Sequence, residues 1–329
     1  MNIILLSGGS GRRLWPISND VRSKQFVKLF PDGNGQYESM LQRMYKAIKR
    51  IDSDAKITIA TSSTQVPFIK EQLLDDVSIS IEPCRRDTFP AIALASMYLK
   101  DVAMVDENEP VVVCPVDPYV EDDYFHALKE LSNQAAVTSS GLVLLGMEPT
   151  HPSEKFGYII PESADKISRV QTFKEKPDTK TAEEYIKQGA LWNGGIFAYK
   201  LGYLVKKAHE LIDFKEYQDM FDRYEQMTKI SFDYAVVEKE PCIDVIRFKG
   251  IWKDLGTWNT LTEALPESTI GNAVVSDDCK NVSIINETSL PVLAMGLENI
   301  IISVTKDGIL VSQADASSQI KPYVDKIME

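Results

Sequence analysis

Hydrophobic positions along the first half of the chain alternate between two periods. Apolar runs at 3–6, 56–60, 79–82, 111–115 and 142–147 have the length and β-branched content of buried strands. Between them the spacing becomes helical: 39–50 carries Met40, Leu41, Met44 and Ile48 on one face, and 66–74 and the alanine-rich 90–102 follow the same rule. Pro90 falls in the first turn of the last of these, where its missing N–H is harmless. Alternation of this kind predicts an α/β class, a doubly wound, mostly parallel sheet of Rossmann-like form. In such sheets ligands bind where strands end and glycine-rich turns begin.

From about residue 150 the order is mixed. Strand patterns fall at 158–160, 167–174, 195–199 and 243–248. Helical patterns fall at 181–188, 201–213 and, in an acidic aromatic stretch, 214–227, while Ser231 is placed to cap a helix through 234–238. After Pro266 short β runs at 273–275, 282–285, 292–295, 300–304 and 309–311 are separated by Asp, Asn and Gly turns, and a helix is expected from Ala316. This divides the chain into 1–266 and a small C-terminal β module, 267–329, whose spacing fits a few turns of β-helix.

Charge narrows the partners. A net charge of −12 excludes a general nucleic-acid or anionic-membrane surface, so the cations Arg12, Arg13, Arg22, Lys24 and Lys28 form a local island against the overall balance. No run of about 20 apolar residues occurs, and the N-terminus enters the first strand directly, so a cytoplasmic location with no membrane partner is expected. Cys84, Cys114, Cys242 and Cys279 are far apart and read as buried free thiols; His126, His151 and His209 are scattered, which argues against histidine-based catalysis.

The cationic island coincides with the segment Leu6-Ser-Gly-Gly-Ser-Gly-Arg-Arg-Leu-Trp-Pro16. Glycines at 8, 9 and 11 free the backbone to present bare N–H groups beside fixed positive charge, a combination suited to a nucleoside triphosphate. The dinucleotide fingerprint is excluded because Leu14 stands where its third glycine belongs, and the Gly-Lys-Ser/Thr of a Walker loop is missing. A ligand-free glycine-rich turn remains the plain alternative. Two further segments end strands in carboxylates: Val111-Val-Val-Cys-Pro-Val-Asp117 and Trp252-Lys-Asp254-Leu-Gly. Magnesium takes one or two carboxylates plus substrate phosphates, so Asp117 is a candidate ligand and Asp254 a partner for it, although an Asp closing a turn has the same local form.

Taken with Leu14-Trp-Pro16 and Lys24-Gln-Phe26, the glycine segment resembles the signature of the sugar-nucleotidyltransferases, and among them most nearly that of the mannose-1-phosphate guanylyltransferases. The segments Glu82-Pro-Cys-Arg-Arg-Asp-Thr-Phe-Pro90, Phe173-Lys-Glu-Lys-Pro177 and Trp192-Asn-Gly-Gly195 extend the resemblance over residues 1–265. Read alone, Lys-Glu-Lys-Pro is a solvated turn and Arg85–Asp87 a charged loop. The resemblance implies Mg²⁺-dependent transfer from GTP to mannose 1-phosphate, giving GDP-mannose and pyrophosphate. It implies catalytic roles for Arg13 and Lys24, nucleotide contacts from Leu6, Gly8, Gly9, Ser10, Gly11, Arg12, Glu82, Thr88 and Pro115, and magnesium on Asp117 and Asp254. Gly157, Glu175, Lys176, Asn193 and Gly195 would receive the sugar phosphate. A different nucleotide, a different hexose or heptose 1-phosphate, and a non-catalytic regulatory subunit stay open, and a homodimer is a prior for the β tail. Departures from the family pattern fall at Arg12 for Thr, Ser23 for Pro, Asp87-Thr-Phe89 for Asn-Thr-Ala, and Pro118 for His. The isomerase domain of some relatives is missing from the sequence, so one activity is expected.

Overall fold

The computed structural model describes residues 1–9, 11–73 and 77–328. The chain begins with β1 (Asn2–Ser7) and a hairpin of β2 (Lys28–Pro31) and β3 (Tyr37–Ser39), followed by α1 (Met40–Ile51). Ser39 caps α1, and Gln42 returns the bond in a capping box. Then come β4 (Lys56–Ser62), α2 (Val66–Leu73), β5 (Ser78–Glu82), α3 (Thr88–Asp101), β6 (Pro110–Pro115), β7 (Pro118–Val120), α4 (Asp122–Val137) and β8 (Leu142–Met147). The second half supplies β9 (Gly157–Pro161), β10 (Ile167–Lys174), α5 (Thr179–Lys187), β11 (Leu191–Lys200), α6 (Leu201–Leu211), α7 (Tyr217–Asp222), α8 (Phe232–Ala235), β12 (Ile243–Phe248), β13 (Trp252–Asp254) and α9 (Trp258–Thr262).

Nine strands form one sheet in the order β5-β4-β1-β6-β11-β8-β12-β10-β9. From β5 to β6 every pairing is parallel, as the alternating pattern predicts. Beyond β6 the sheet is mixed: β11 runs against β6, β8 and β9, and β10 runs against β12 and β9. The expectation of a doubly wound, mostly parallel sheet therefore holds for its first half, and the whole is a mixed α/β fold. The cause is the connections, since β9 and β10 follow one another as adjacent antiparallel strands with no crossover helix.

Period-two burial sorts side chains to the two faces. Ile3, Leu5, Val112 and Cys114 join a cluster with Leu41, Met44 and Ile48 of α1 and Leu128 and Leu131 of α4. Their neighbours Ile4, Val111 and Val113 join Ile92, Leu94 and Met97 of α3 and Leu204 of α6. Both sheet faces are thus covered by helices, which is why the central strands are apolar throughout.

Several local expectations need correction. The stretch 122–137, where no helix is predicted, forms α4, with Tyr124, Phe125, Leu128, Leu131 and Ala135 buried. The predicted helix 214–227 breaks into α7 and a single 3₁₀ turn at Tyr224–Gln226. Ser231 does cap a helix, but α8 stops at Ala235 and a 3₁₀ turn follows. All four cysteines are free, yet only Cys114 is buried and Cys242 is exposed.

The C-terminal region contains β14 (Thr269–Ile270), β15 (Ala273–Val275), β16 (Lys280–Asn286), β17 (Val292–Ala294), β18 (Glu298–Thr305) and β19 (Gly308–Gln313). A 3₁₀ turn at Asp315–Gln319 replaces the start of the expected helix, and α10 runs from Lys321–Met328. Parallel β14-β16-β18 faces the parallel pair β15–β17, and Val282, Ile284, Ala294, Ile302 and Val304 fill the space between. This β-rich unit also packs on the glycine segment. Leu14 and Trp15 share a buried cluster with Trp258, Ile270, Ile285, Ile301, Ile320 and Val324. The Trp258 indole N–H donates to the Trp15 carbonyl at 3.1 Å, and Arg22 forms a two-pronged pair with Glu287 at 2.8 Å.

At Gly271, φ is +89° and an added Cβ would collide with the Asn286 carbonyl; at Gly35, φ is +79° but the space is open. Gly271→Ala is expected to lower unfolding free energy by about 2–4 kcal/mol, and Gly35→Ala by about 1 kcal/mol. Urea denaturation of both variants checks this, and equal effects would contradict the geometry.

Candidate active site

The glycine segment leaves the C-terminal end of β1, the edge at which α/β sheets bind ligands. Gly9 has φ +122° and Gly11 φ +63°, and a Cβ at Gly11 would stand 2.5 Å from the Asn19 carbonyl oxygen, so position 11 requires glycine. Ser10 lies outside the described residues. Beneath the turn lies a buried polar network. Ser23 Oγ donates to the Gly9 carbonyl and accepts from Gln65 Nε2 at 2.7 Å, while Gln25 Nε2 donates to Ser7 Oγ. Thr61 Oγ1 lies 3.0 Å from the Ser7 carbonyl and 2.8 Å from Gln65 Oε1. Ser23, which departs from the family's proline, thus ties the loop to the 3₁₀ turn at Ser63–Gln65 between β4 and α2.

Two adjoining cavities open over this turn and share Gly8, Gly9 and Asp117. The larger, about 410 Å³, has Leu6, Ala60, Ala91 and Pro115 among its apolar walls, with Glu82, Arg85, Thr88 and Lys229 as polar groups. Its size and lining suit a planar heterocycle with a few fixed hydrogen-bonding groups. The smaller, about 270 Å³, is lined by Gly11, Arg12, Arg13, Lys24, Asp254 and Lys321, among others, and suits a chain of anionic groups.

Asp117 and Asp254 meet because β7 and β13 pair antiparallel with Asp254 opposite Pro118. Lys24 Nζ lies 2.9 Å from Asp117 Oδ2, 3.7 Å from Asp254 Oδ1 and 3.0 Å from the Leu255 carbonyl. Both carboxylates are therefore aimed at one cation position. Two hard oxygen ligands, with the rest left to phosphate and water, fit magnesium chemistry. Among the described residues no group of three or more His, Cys, Asp or Glu could hold a metal on its own. Asp117 and Asp254 would hold the ion jointly with a substrate.

The neighbouring residues divide into free and engaged. Arg13 is exposed toward the smaller cavity and makes no ion pair among the described residues. Arg12 is taken up by Asp20, with Nη2 at 2.6 Å, and by Asp325 of α10, with Nη1 at 3.0 Å; these hydrogen bonds raise its pKa. Glu82 accepts from the Tyr224 hydroxyl at 2.8 Å; burial raises its carboxyl pKa, against that bond and the charge of Arg85. Thr88 Oγ1 accepts the Phe232 N–H at 2.8 Å, and Asp87, at φ +70°, caps α3 by accepting from the Thr88 N–H.

Gly157, Glu175, Lys176, Asn193 and Gly195 assemble into a separate cluster that lines neither cavity. Glu175 is buried, pairs with Lys176 through Oε1, and leaves Oε2 buried with no partner. A Cβ at Gly157 would lie 2.5 Å from that oxygen. Asn193 accepts from the Gly195 N–H at 3.1 Å and donates to Asp233 at 2.6 Å. Burial lowers the Lys176 pKa, but Glu175, Asp233 and Tyr234 together raise it more. Asp233 is pushed up to about 6 by burial and then by Glu175. The two groups are joined through α8: Phe232 bonds Thr88 beside the larger cavity while Asp233 bonds Asn193. Trp252, two residues before Asp254, packs over Gly194.

Sequence reading missed Asp233, Tyr224, Lys229 and Lys321. Asp233 had one legible signal, its position in the first turn after the capping Ser231.

A mixed α/β sheet, a glycine turn over a polar network and two carboxylates facing a lysine define a phosphate-handling transferase. The chain belongs to the nucleotidyl transferase family, whose profile matches residues 2–269, and it is an enzyme of that family. It is 31% identical to the Escherichia coli mannose-1-phosphate guanylyltransferase over 98% of this chain and 75% of that protein. It is 30% identical to the alginate biosynthesis protein AlgA of Pseudomonas fluorescens, over 98% of this chain and 71% of that one. In fold it is similar to a crystal structure described as a mannose-1-phosphate geranyltransferase from Thermus thermophilus (TM-score 0.82, 24% identity, 100% of this chain and 99% of that one). Among the described residues no helix is long and apolar enough to cross a membrane.

Because the folded pKa of Asp233, about 6, exceeds its ordinary 3.8, the folded state binds the extra proton. This contribution to stability is complete below the unfolded pKa and is lost as pH rises through the folded one. Between pH 4 and pH 7 the urea midpoint of the wild type is expected to fall relative to that of Asp233→Asn. Parallel profiles would refute the assignment.

Proposed function

We propose that the enzyme transfers the GMP moiety of GTP to mannose 1-phosphate, releasing pyrophosphate and forming GDP-mannose. The observation that carries this reading is the convergence of Lys24, Asp117 and Asp254 at the junction of the two cavities. The names of the relatives support mannose 1-phosphate as the sugar and guanine as the base. The larger cavity receives the guanine, where Glu82 has an oxygen beyond the one bonded to Tyr224 and the loop carbonyls accept further N–H groups. The glycine loop and Arg13 face the β- and γ-phosphates.

In the reaction a phosphate oxygen of the sugar phosphate forms a bond to the α-phosphorus, and the α–β bridging oxygen leaves with the pyrophosphate. No covalent intermediate on the protein is needed, so the residues position the reactants and offset charge. Lys24 donates to the α-phosphate, and Arg13 with the loop amides stabilises the departing pyrophosphate. Lys176 holds the attacking phosphate, while Glu175 and Asn193 orient the sugar hydroxyls. The orphaned Glu175 Oε2 is an acceptor awaiting such a hydroxyl. Asp117 and Asp254 would hold Mg²⁺, which would supply further charge compensation.

Lys24→Ala and Asp117→Asn are expected to lower turnover roughly a hundred- to a thousandfold while the protein stays folded; the urea midpoint should fall in Lys24→Ala, where the two carboxylates are left to repel, and change little in Asp117→Asn. Near-wild-type rates in either folded variant would overturn the assignment. Pyrophosphate release with mannose 1-phosphate and Mg²⁺ should favour GTP over ATP, CTP and UTP. Preference for another nucleotide would retain the transfer and reject the base.

A further inference from the structure

The smaller cavity has a wall that comes from the other end of the chain. Lys321, the first residue of α10, lines it together with Gly8, Gly9, Gly11, Arg13 and Lys24. The helix is held there by more than its lysine. Ile320 and Val324 are buried in one cluster with Leu14 and Trp15 of the glycine segment, and Asp325, one turn on from Lys321, bonds Arg12 at 3.0 Å. Gly308 and Thr305 press on the same segment from outside, against the Trp15 ring and the Pro16 carbonyl.

The charges in the cavity divide unevenly. Arg12 is matched by Asp20 and Asp325, and Lys24 by Asp117 and Asp254. Among the described residues, Arg13 and Lys321 are the cations lining this cavity that have no carboxylate partner. They approach from opposite ends of the sequence. An unmatched pair of cations beside glycine amides is an arrangement that gains most from a polyanion.

We propose that Lys321 is a binding residue for the β,γ-phosphate portion of the nucleotide, and equally for product pyrophosphate. The C-terminal β unit thereby completes the triphosphate site as well as bracing its loop. The proposal deepens the reading above and rests on its placement of the phosphates. Asp325, by holding Arg12, is a positioning residue that fixes α10 at the distance from which Lys321 reaches the cavity. Because both substrate and product carry the recognised group, Lys321 acts on binding more than on the chemical step.

The test is isothermal titration of the full chain with magnesium pyrophosphate, together with steady-state kinetics. Lys321→Ala is expected to weaken pyrophosphate binding and raise the KM for nucleotide about tenfold, with kcat and the KM for sugar phosphate nearly unchanged. Lys321→Arg should restore most of the affinity, and Lys321→Glu should weaken it further. The difference between wild type and Lys321→Ala should shrink as salt is raised, because the site is open to solvent. Equal pyrophosphate affinity in wild type and Lys321→Ala would overturn the role of Lys321 alone. A wild type that binds no pyrophosphate would overturn both this proposal and the phosphate placement beneath it. If Lys321→Ala lowers the urea midpoint and raises both KM values together, the lysine serves only to dock α10, and the proposal fails.

Discussion

The structure depends on holding two carboxylates, Asp117 and Asp254, close enough for one ammonium group to reach both. Two carboxylates brought within reach of one ammonium group repel each other. Lys24, 2.9 Å from one and 3.7 Å from the other, offsets that repulsion. Each member comes from a different part of the chain. Asp117 follows the end of β6, Asp254 closes β13, and Lys24 opens the 3₁₀ turn at Lys24–Phe26. The antiparallel β7–β13 ribbon sets their register, and a slip of one residue would turn one carboxylate away.

The rest of the fold keeps this meeting point rigid. The polar network of Ser7, Ser23, Gln25, Thr61 and Gln65 fixes the inner side of the glycine loop. Trp258 and the β-rich C-terminal unit fix its outer side through Trp15, Arg22 and Arg12. Backbone N–H groups aimed at an anion are useful only when they need no rearrangement to meet it. The short α8 extends the same logic, with Phe232 anchored beside the larger cavity and Asp233 on the cluster around Glu175 and Asn193.

Local chemistry was legible in the sequence wherever it depended on neighbours. The apolar strand runs, the helical spacing over 39–50, the glycine turn and the strand-end carboxylates are all short-range grammar. Partner choice was not. Nothing near 191–200 announces that β11 will pair with β6, β8 and β9, so the mixed half of the sheet could not be read from alternation. The strand pattern reads only from 195, yet the Trp192-Asn-Gly-Gly segment forms the first part of β11, with a register shift after Asn193, whose side chain bonds Asp233. Asp233, Tyr224 and Lys321 gain their significance from contacts with residues far away in sequence. The helix at 122–137 is a different case, since its buried residues follow a helical period and the signal was present.

Manganese(II), a spectroscopic stand-in for magnesium, tests the central claim most directly. Its affinity in the presence of GTP would be measured by electron paramagnetic resonance for wild type, Asp117→Asn, Asp254→Asn and the double variant. One ion shared by both carboxylates predicts strong coupling, with each single change removing nearly as much affinity as the pair. Losses that simply add, or a single variant that binds as wild type does, would contradict a shared cation site.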